Sequence, residues 1–345
     1  MSGIGIGVIG YGYWGPNLAR NIAELSGASL VSIADAKPER RTTAARRHSG
    51  VSLVASAEEL IADPRIDALV VATPVNTHFQ LASKALKAGK HVLVEKPICA
   101  SSEEAMRLIE MAEARNLVLM VDHTFPYTGS VRKVKELVSG GTIGDPYYYD
   151  SVRVNLGLFQ KDVGVIWDLA VHDLSIMDYV FDYRPVAVSC TGMNHIAGQP
   201  EDVAYVTLFF NENFIAHLHV NWLSPVKLRR TLIGGSSKMI VYDDLEAYEK
   251  VRVHDKGLIV EANKEQTQQM LLRGYRSGDV WSPQLDIAEA LGVELNHFVR
   301  CVLGEETPIT DGNSGYRVVQ ILEAAEQSLH NNGVPVELAG SLQEA

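Results

Sequence analysis

Through residue 122 short β-type runs alternate with helical ones, the pattern of a parallel sheet covered by helices. The predicted strands are residues 4–9, 30–34, 52–55, 68–72, 91–94 and 117–121. Residues 69–72 and 117–121 are continuously apolar rather than alternating, which is what burial on both faces requires. The helices between them have readable ends. Pro16 suits a first helical position ahead of Leu18, Ile22 and Leu25, Ser101 and Glu104 form a capping box, and Gly89 closes the helix that carries Leu81 and Leu86.

After Val121 the rhythm changes. A helix near 130–138, a Gly140-Gly141 break, a strand near 147–155 and a helix near 165–180 precede a succession of strands at 187–191, 203–210, 214–222, 227–233 and 238–242. That succession predicts a large, mainly antiparallel open sheet. Helices near 287–303 and 315–330 complete the chain. The expected architecture is an N-terminal doubly wound Rossmann domain over 1–122 and a substrate-binding and oligomerisation domain over 123–345. Tyr275 to Asp279 reads as an ordered loop. A chain of 345 residues exceeds what one core serves well, in keeping with two domains.

The formal net charge of -11 argues against a nucleic-acid or anionic-membrane partner, since both need a positive field, while one or two arginines in a cleft still serve a small anion. Cys99, Cys190 and Cys301 stand singly, which fits a reducing compartment. With no apolar run of membrane-spanning length and no cleavable leader pattern, the expected location is the cytoplasm. His217 and His219 share a strand face, but no third ligand follows at a useful spacing, and no metal is expected.

The first strand runs into Gly10-Tyr11-Gly12-Tyr13-Trp14-Gly15 and then a helix, the context a dinucleotide fingerprint requires. Gly10 permits the tight turn, Gly12 admits the pyrophosphate, and Gly15 lets helix and strand pack, with the helix N-terminus facing phosphate charge. Asp35, 25 residues after Gly10, ends the second strand where a carboxylate accepts adenine-ribose hydroxyls. NAD is therefore expected. Arg40 and Arg41 keep NADP open, and Asp35 can equally cap the helix that begins at Pro38.

Two further motifs, Ala72-Thr73-Pro74-Val75-Asn76-Thr77-His78 and Glu95-Lys96-Pro97, end the fourth and fifth strands, and Asp168-x-x-x-His172 lies in the second half. In that order these motifs resemble the glucose-fructose oxidoreductase / inositol dehydrogenase / rhizopine-catabolism (Gfo/Idh/MocA) family over essentially the whole chain. The resemblance implies that Lys96 lies beside the nicotinamide, with Asp168 and His172 facing it across the substrate. It implies that Thr73, Pro74, Asn76, His78 and Glu95, with Tyr13 and Trp14 of the glycine turn, line the cofactor cleft. It also implies a homodimer or homotetramer formed through the open sheet face. Where many members carry an arginine after the sixth strand, this chain reads Asp122-His123-Thr124. Residues 153–159, leading to Trp167-Asp168, look similar to the branch acting on nucleotide-linked sugars, including UDP-N-acetylglucosamine-type 3-dehydrogenases. Arg153, Asn155, Trp167 and His123 join Lys96, Asp168 and His172 as candidate substrate contacts. Arg153 and Asn155 are two apart on a strand and share a face; a solvated strand face accounts for them equally well.

Oxidising a secondary alcohol needs a base for the hydroxyl proton and a group that favours the developing alkoxide. An unperturbed imidazole, with a pKa of about 6.5, is receptive near neutrality, which suits His172, while the Lys96 ammonium can hold the oxygen. Asp168 and His172, four apart on a helix, project from one face. Asp168 can orient His172 or bond a substrate hydroxyl, and the spacing leaves both open. The expected reaction is hydride transfer from a sugar ring hydroxyl, at carbon 3 of a UDP-N-acetylhexosamine, to NAD. The alternatives are an inositol or free-sugar dehydrogenase and a non-catalytic NAD-binding sensor.

Overall fold

The computed structural model describes residues 3–157, 163–255, 257–258, 275–276 and 278–338. The chain forms two compact units. The first is built on β1 (Ile4–Ile9), α1 (Gly15–Glu24), β2 (Ala28–Ala34), α2 (Pro38–Arg47), β3 (Ser52–Val54), α3 (Ala57–Ile61), β4 (Ala68–Val71), α4 (His78–Lys87), β5 (His91–Glu95), α5 (Ser102–Glu113) and β6 (Leu119–Asp122). The six strands pair in parallel in the order β3-β2-β1-β4-β5-β6, so the chain reverses direction of winding between β1 and β4. Every residue of β4 is buried, which the continuous apolar run anticipates. Ser101 accepts the Glu104 N–H as the predicted cap of α5.

The second unit opens with α6 (Gly129–Ser139), β7 (Pro146–Leu156), a turn of π-helix (Ile166–Ala170) and α7 (Val171–Val180). Strands β8 (Pro185–Met193), β9 (Val203–Phe210), β10 (Ile215–Asn221), β11 (Leu223–Gly235), β12 (Met239–Asp243) and β13 (Val251–His254) follow. The short strands β14 (Gly257–Leu258) and β15 (Tyr275–Arg276) pair with each other, so part of the expected loop at 275–279 is strand, while Ser277 lies outside the described residues. With β16 (Val280–Trp281) and β17 (Val336–Glu337), the large sheet has nine strands in the order β16-β13-β12-β11-β7-β10-β9-β8-β17, antiparallel except between β7 and β10. The single predicted helix near 165–180 is thus broken into a π turn and an α-helix.

The domain boundary departs from the expected one. Residues 288–323 belong to the first unit rather than to the second. The physical reason lies in α8 (Ala290–Val302), whose Leu291, Leu295, Phe298 and Val299 form an apolar face buried in one core with Leu18 and Ile22 of α1 and Met120 of β6. The return segment also covers the free edge of β6. The Val121 N–H donates to the Thr310 carbonyl at 2.9 Å, and the Thr310 hydroxyl donates to the Val121 carbonyl at 2.8 Å. The chain then enters α9 (Gly312–His330). Among the described residues, no helix is long and apolar enough to cross a membrane.

Arg153, expected on an accessible strand face, is instead interior to the second unit. It is 3% exposed, and Asp173 of α7 is 2% exposed. The Arg153 Nε donates to Asp173 Oδ2 at 2.7 Å and its second terminal nitrogen donates to Oδ1 at 3.1 Å. The Ser151 hydroxyl donates to the same Oδ1 at 2.8 Å, and the Tyr149 hydroxyl donates to the Asp173 carbonyl at 3.1 Å. Alternate residues of β7 therefore clamp α7 through one residue, Asp173, immediately after His172. Replacing Arg153 by Met should strand a buried carboxylate and cost about 3 to 5 kcal/mol, whereas joint replacement of Arg153 and Asp173 by Met and Leu should recover most of that. Urea unfolding of the two variants reads the difference.

Candidate active site

Polar residues of the first unit collect where the parallel strands end. The glycine turn follows β1, Thr73 follows β4, Lys96 follows β5 and Asp122 ends β6. The crevice between the carboxyl ends of β1 and β4, where the winding reverses, is where this topology receives a dinucleotide.

The turn itself fits that ligand. Gly10 has φ +98°, and a methyl group there would run into the Ala72 carbonyl; one on Gly15 would strike the Gly10 carbonyl. Gly12 is different. A methyl there meets only the Arg40 guanidinium, 3.4 Å away, so this backbone stays open to a close-approaching phosphate. Trp14 caps α1 without a side-chain hydrogen bond to its first-turn N–H groups. Tyr13 projects outward, 89% exposed, whereas the Trp14 indole N–H turns inward and donates to Asp122 Oδ2 at 2.9 Å.

Asp35, just after β2, holds the glycine turn in place. Its Oδ2 accepts the Tyr11 N–H at 2.7 Å and its Oδ1 the Lys37 N–H at 2.8 Å. Arg40 lies 3.3 Å from Oδ2, while Arg41 donates to the Asp35 and Ala36 carbonyls. Three donors leave part of a carboxylate's accepting capacity free for a ribose hydroxyl. The Lys37 bond closes a turn ahead of α2, whose N-cap is Lys37 without a side-chain cap bond, so the helix-cap alternative for Asp35 does not hold.

The stretch after β4 divides its labour. Pro74 and Asn76 are exposed, and the Thr73 and Thr77 hydroxyls pair at 2.6 Å. His78 is buried, with Nε2 2.7 Å from the Thr73 carbonyl and Nδ1 2.9 Å from the Pro97 carbonyl. Its ring is committed to backbone, so it braces the turn after β4 against the turn after β5. Burial pushes its pKa down against the pull of the carbonyl bonds.

The Lys96–Pro97 peptide is cis, and the Lys96 N–H donates to Glu95 Oε2 at 2.9 Å. Burial, then the neighbouring Asp122 charge, holds the Glu95 carboxyl well above the usual carboxylate range against the pull of Lys96. His123, just after β6, is buried.

In the second unit Asp168 lies on the π turn and His172 on the first turn of α7, both partly exposed. The Trp222 indole N–H donates to Asp168 Oδ2 at 3.1 Å. Trp222 is buried, and its ring packs so closely on Gly157 that a methyl there would collide with it. The Trp167 indole N–H donates to Glu326 Oε2 at 3.2 Å, and Asn155 is partly exposed on β7. Leu158 and Phe159 of the sugar-nucleotide-like stretch lie outside the described residues. Sequence reasoning overlooked Trp222, Asp173 and Asp122 as partners. Asp122 was the recoverable one, being the register partner of Glu95 in a parallel pair.

This fold and these strand-end residues define an NAD-binding oxidoreductase. Residues 4–123 match the oxidoreductase family model with an NAD-binding Rossmann fold, and residues 131–241 match the Gfo/Idh/MocA C-terminal domain. The chain belongs to the Gfo/Idh/MocA family, whose named relatives make it a dehydrogenase acting on a CH–OH group. It is 28% identical over 316 residues to UDP-N-acetylglucosamine 3-dehydrogenase of Acidithiobacillus ferrooxidans, covering 91% of this chain and 93% of that one. It is 26% identical over 339 residues to myo-inositol 2-dehydrogenase of Thermotoga maritima, covering 94% and 96%. The solved structure of the Acidithiobacillus enzyme superposes with a TM-score of 0.80 at 25% identity, covering 96% of this chain and 99% of that one.

Replacing Asp35 by Ser should weaken NADH binding roughly tenfold, the worth of one hydrogen bond to a charged group. It should also improve NADPH binding by freeing Arg40 from its partner. Parallel fluorescence titrations with the two reduced cofactors test both changes.

Proposed function

We propose that the chain oxidises a ring hydroxyl of a nucleotide-activated N-acetylhexosamine at carbon 3, in the manner its resemblance to UDP-N-acetylglucosamine 3-dehydrogenases implies. The observation that carries this reading is the near full-length likeness to that enzyme in both sequence and fold. Bound NAD supplies the hydride acceptor. His172 takes the hydroxyl proton, Lys96 as an ammonium favours the negative charge that develops on the oxygen, and Asp168, steadied by the Trp222 indole, orients the imidazole or the substrate. A homo-oligomer and a cytoplasmic location accompany this reading as expectations of the family resemblance.

A second reading has its own support. Arg153 is the cation that would most readily neutralise a phosphate on this strand, and it is committed to Asp173. That favours an uncharged cyclic polyol, for which the Thermotoga inositol dehydrogenase is the relative.

NADH formation measured against UDP-N-acetylhexosamines, inositols, aldoses and sugar phosphates separates the readings. The proposal expects turnover on the UDP-sugars; turnover on inositols with none on UDP-sugars would replace it with the second. On the active substrate, His172→Gln should lower kcat by about 10² to 10⁴. Lys96→Met should lower kcat by about 10² to 10³ while NADH affinity changes far less. Cofactor binding without turnover on any of these compounds would indicate a sensor.

A further inference from the structure

Three acids meet at the carboxyl edge of the first unit's sheet. Glu95 and Asp122 are register partners at the ends of β5 and β6, and α8 adds Glu294, which is 0% exposed and has both as neighbouring charges. Among the described residues, no hydrogen-bond donor reaches either carboxyl oxygen of Glu294. The groups that face it are Asp122, Glu95 and Thr124, and its charge is felt by Tyr127. Thr124 has one hydroxyl proton, which goes to Asp122 Oδ1 at 2.8 Å. The Tyr127 hydroxyl is engaged with Thr310.

Among the described residues, no ion pair with a cation is formed by this carboxyl either. From α1, Arg20 and Asn21 reach Glu289 ahead of the first turn of α8. On α8 itself, His297 and Arg300 are paired with Glu306. Lys96 bears on Glu95. A buried carboxyl without donor or cation cannot sit ionised against another carboxyl, and one proton between the two removes both the repulsion and the missing bond.

We infer that Glu294 stands in the fold as a neutral carboxylic acid that donates its proton to Asp122, and that through Asp122 it positions the two turns that receive the dinucleotide. Asp122 is the hub of that arrangement. Its Oδ2 holds the Trp14 indole of the glycine turn, and it faces Glu95, whose Oε2 holds the Lys96 N–H. Glu294 touches neither cofactor nor substrate and is a positioning residue. The inference depends on the NAD-binding domain and is independent of which alcohol is oxidised.

The geometry has a pH consequence. Burial first, then the Asp122 charge, pushes the Glu294 carboxyl well above its ordinary range. A folded-state pKa raised above the unfolded one contributes stability that is whole below the ordinary carboxylate range and is lost as pH rises through the folded value. The hold on Trp14 and the Lys96 turn therefore loosens on the alkaline side.

The test is NADH binding by the full-length chain, followed by cofactor fluorescence from about pH 6 to about pH 10. Glu294→Gln keeps a donor of the same shape and should bind within about twofold of the wild type at neutral pH; Glu294→Met removes the donor and should bind roughly tenfold more weakly. The alkaline fall of the wild type should shrink by about threefold or more in E294Q. Equal losses in E294Q and E294M, or superimposable pH profiles of the wild type and E294Q, would overturn the inference. Infrared spectra of the wild type at neutral pH give a readout that needs no variant. They should contain a protonated-carboxyl C=O band that is diminished in E294Q, and its absence from the wild type refutes the neutral acid.

Discussion

A parallel sheet covered on both faces by helices has no dry place for charge except where its strands end. In the first unit β4 is buried from end to end, and the polar side chains appear at the carboxyl termini of β1, β4, β5 and β6. The constraint concentrates binding chemistry along one edge, but it also crowds like charges there. Glu95 and Asp122 end adjacent strands in register, so the sheet that supplies Lys96 also sets two carboxyl groups against each other. The fold answers with the Trp14 and Thr124 donors on Asp122, while burial and the Asp122 charge hold the Glu95 carboxyl above its usual range against the pull of Lys96.

The second unit meets the same demand with an ion pair. Arg153 and Asp173 are both buried and share two hydrogen bonds, and Ser151 and Tyr149 complete the bonding of Asp173. Such a pair adds little net stability over an apolar one of the same shape, but it fixes register. Here the register matters because Asp173 is the residue after His172. A rotation of α7 that kept its apolar contacts would still break four directed bonds. The π turn just before it carries Asp168, and Trp222 holds that carboxylate from another element. The Asp168 carboxylate is therefore held by a residue distant in sequence, and the backbone of α7 next to His172 by residues of β7.

That explains which parts of the molecule were legible beforehand. The sheet could be read because continuous apolar runs and glycine punctuation are local signals, and the glycine turn because each glycine has its own steric reason, visible at Gly10 and Gly15. Arg153 was misread because alternation on a strand says which face a residue shares, not whether that face is covered, and the partner lies 20 residues away on α7. His78 proved a brace because two carbonyls claim its ring. The return of residues 288–323 to the first unit was hidden because an amphipathic helix announces a buried face without naming the sheet that buries it.

The return segment also changes how the dinucleotide domain is to be understood. A sheet edge left open at β6 would expose the backbone next to Asp122, and Thr310 closes it with two hydrogen bonds. α8 then covers the sheet on the side of α1, and it does so with Glu294 among its buried residues, where a Leu would pack at lower desolvation cost. A polar group retained against that cost must make an interaction an apolar side chain cannot. The Thr124 proton is already given to Asp122, so the interaction left to Glu294 is proton donation, and the acceptor in reach is the carboxylate that already holds Trp14. The stability lost by burying an acid is thus linked to the order of the turn that the cofactor needs, which couples the C-terminal return of the chain to the first glycines of its N-terminus.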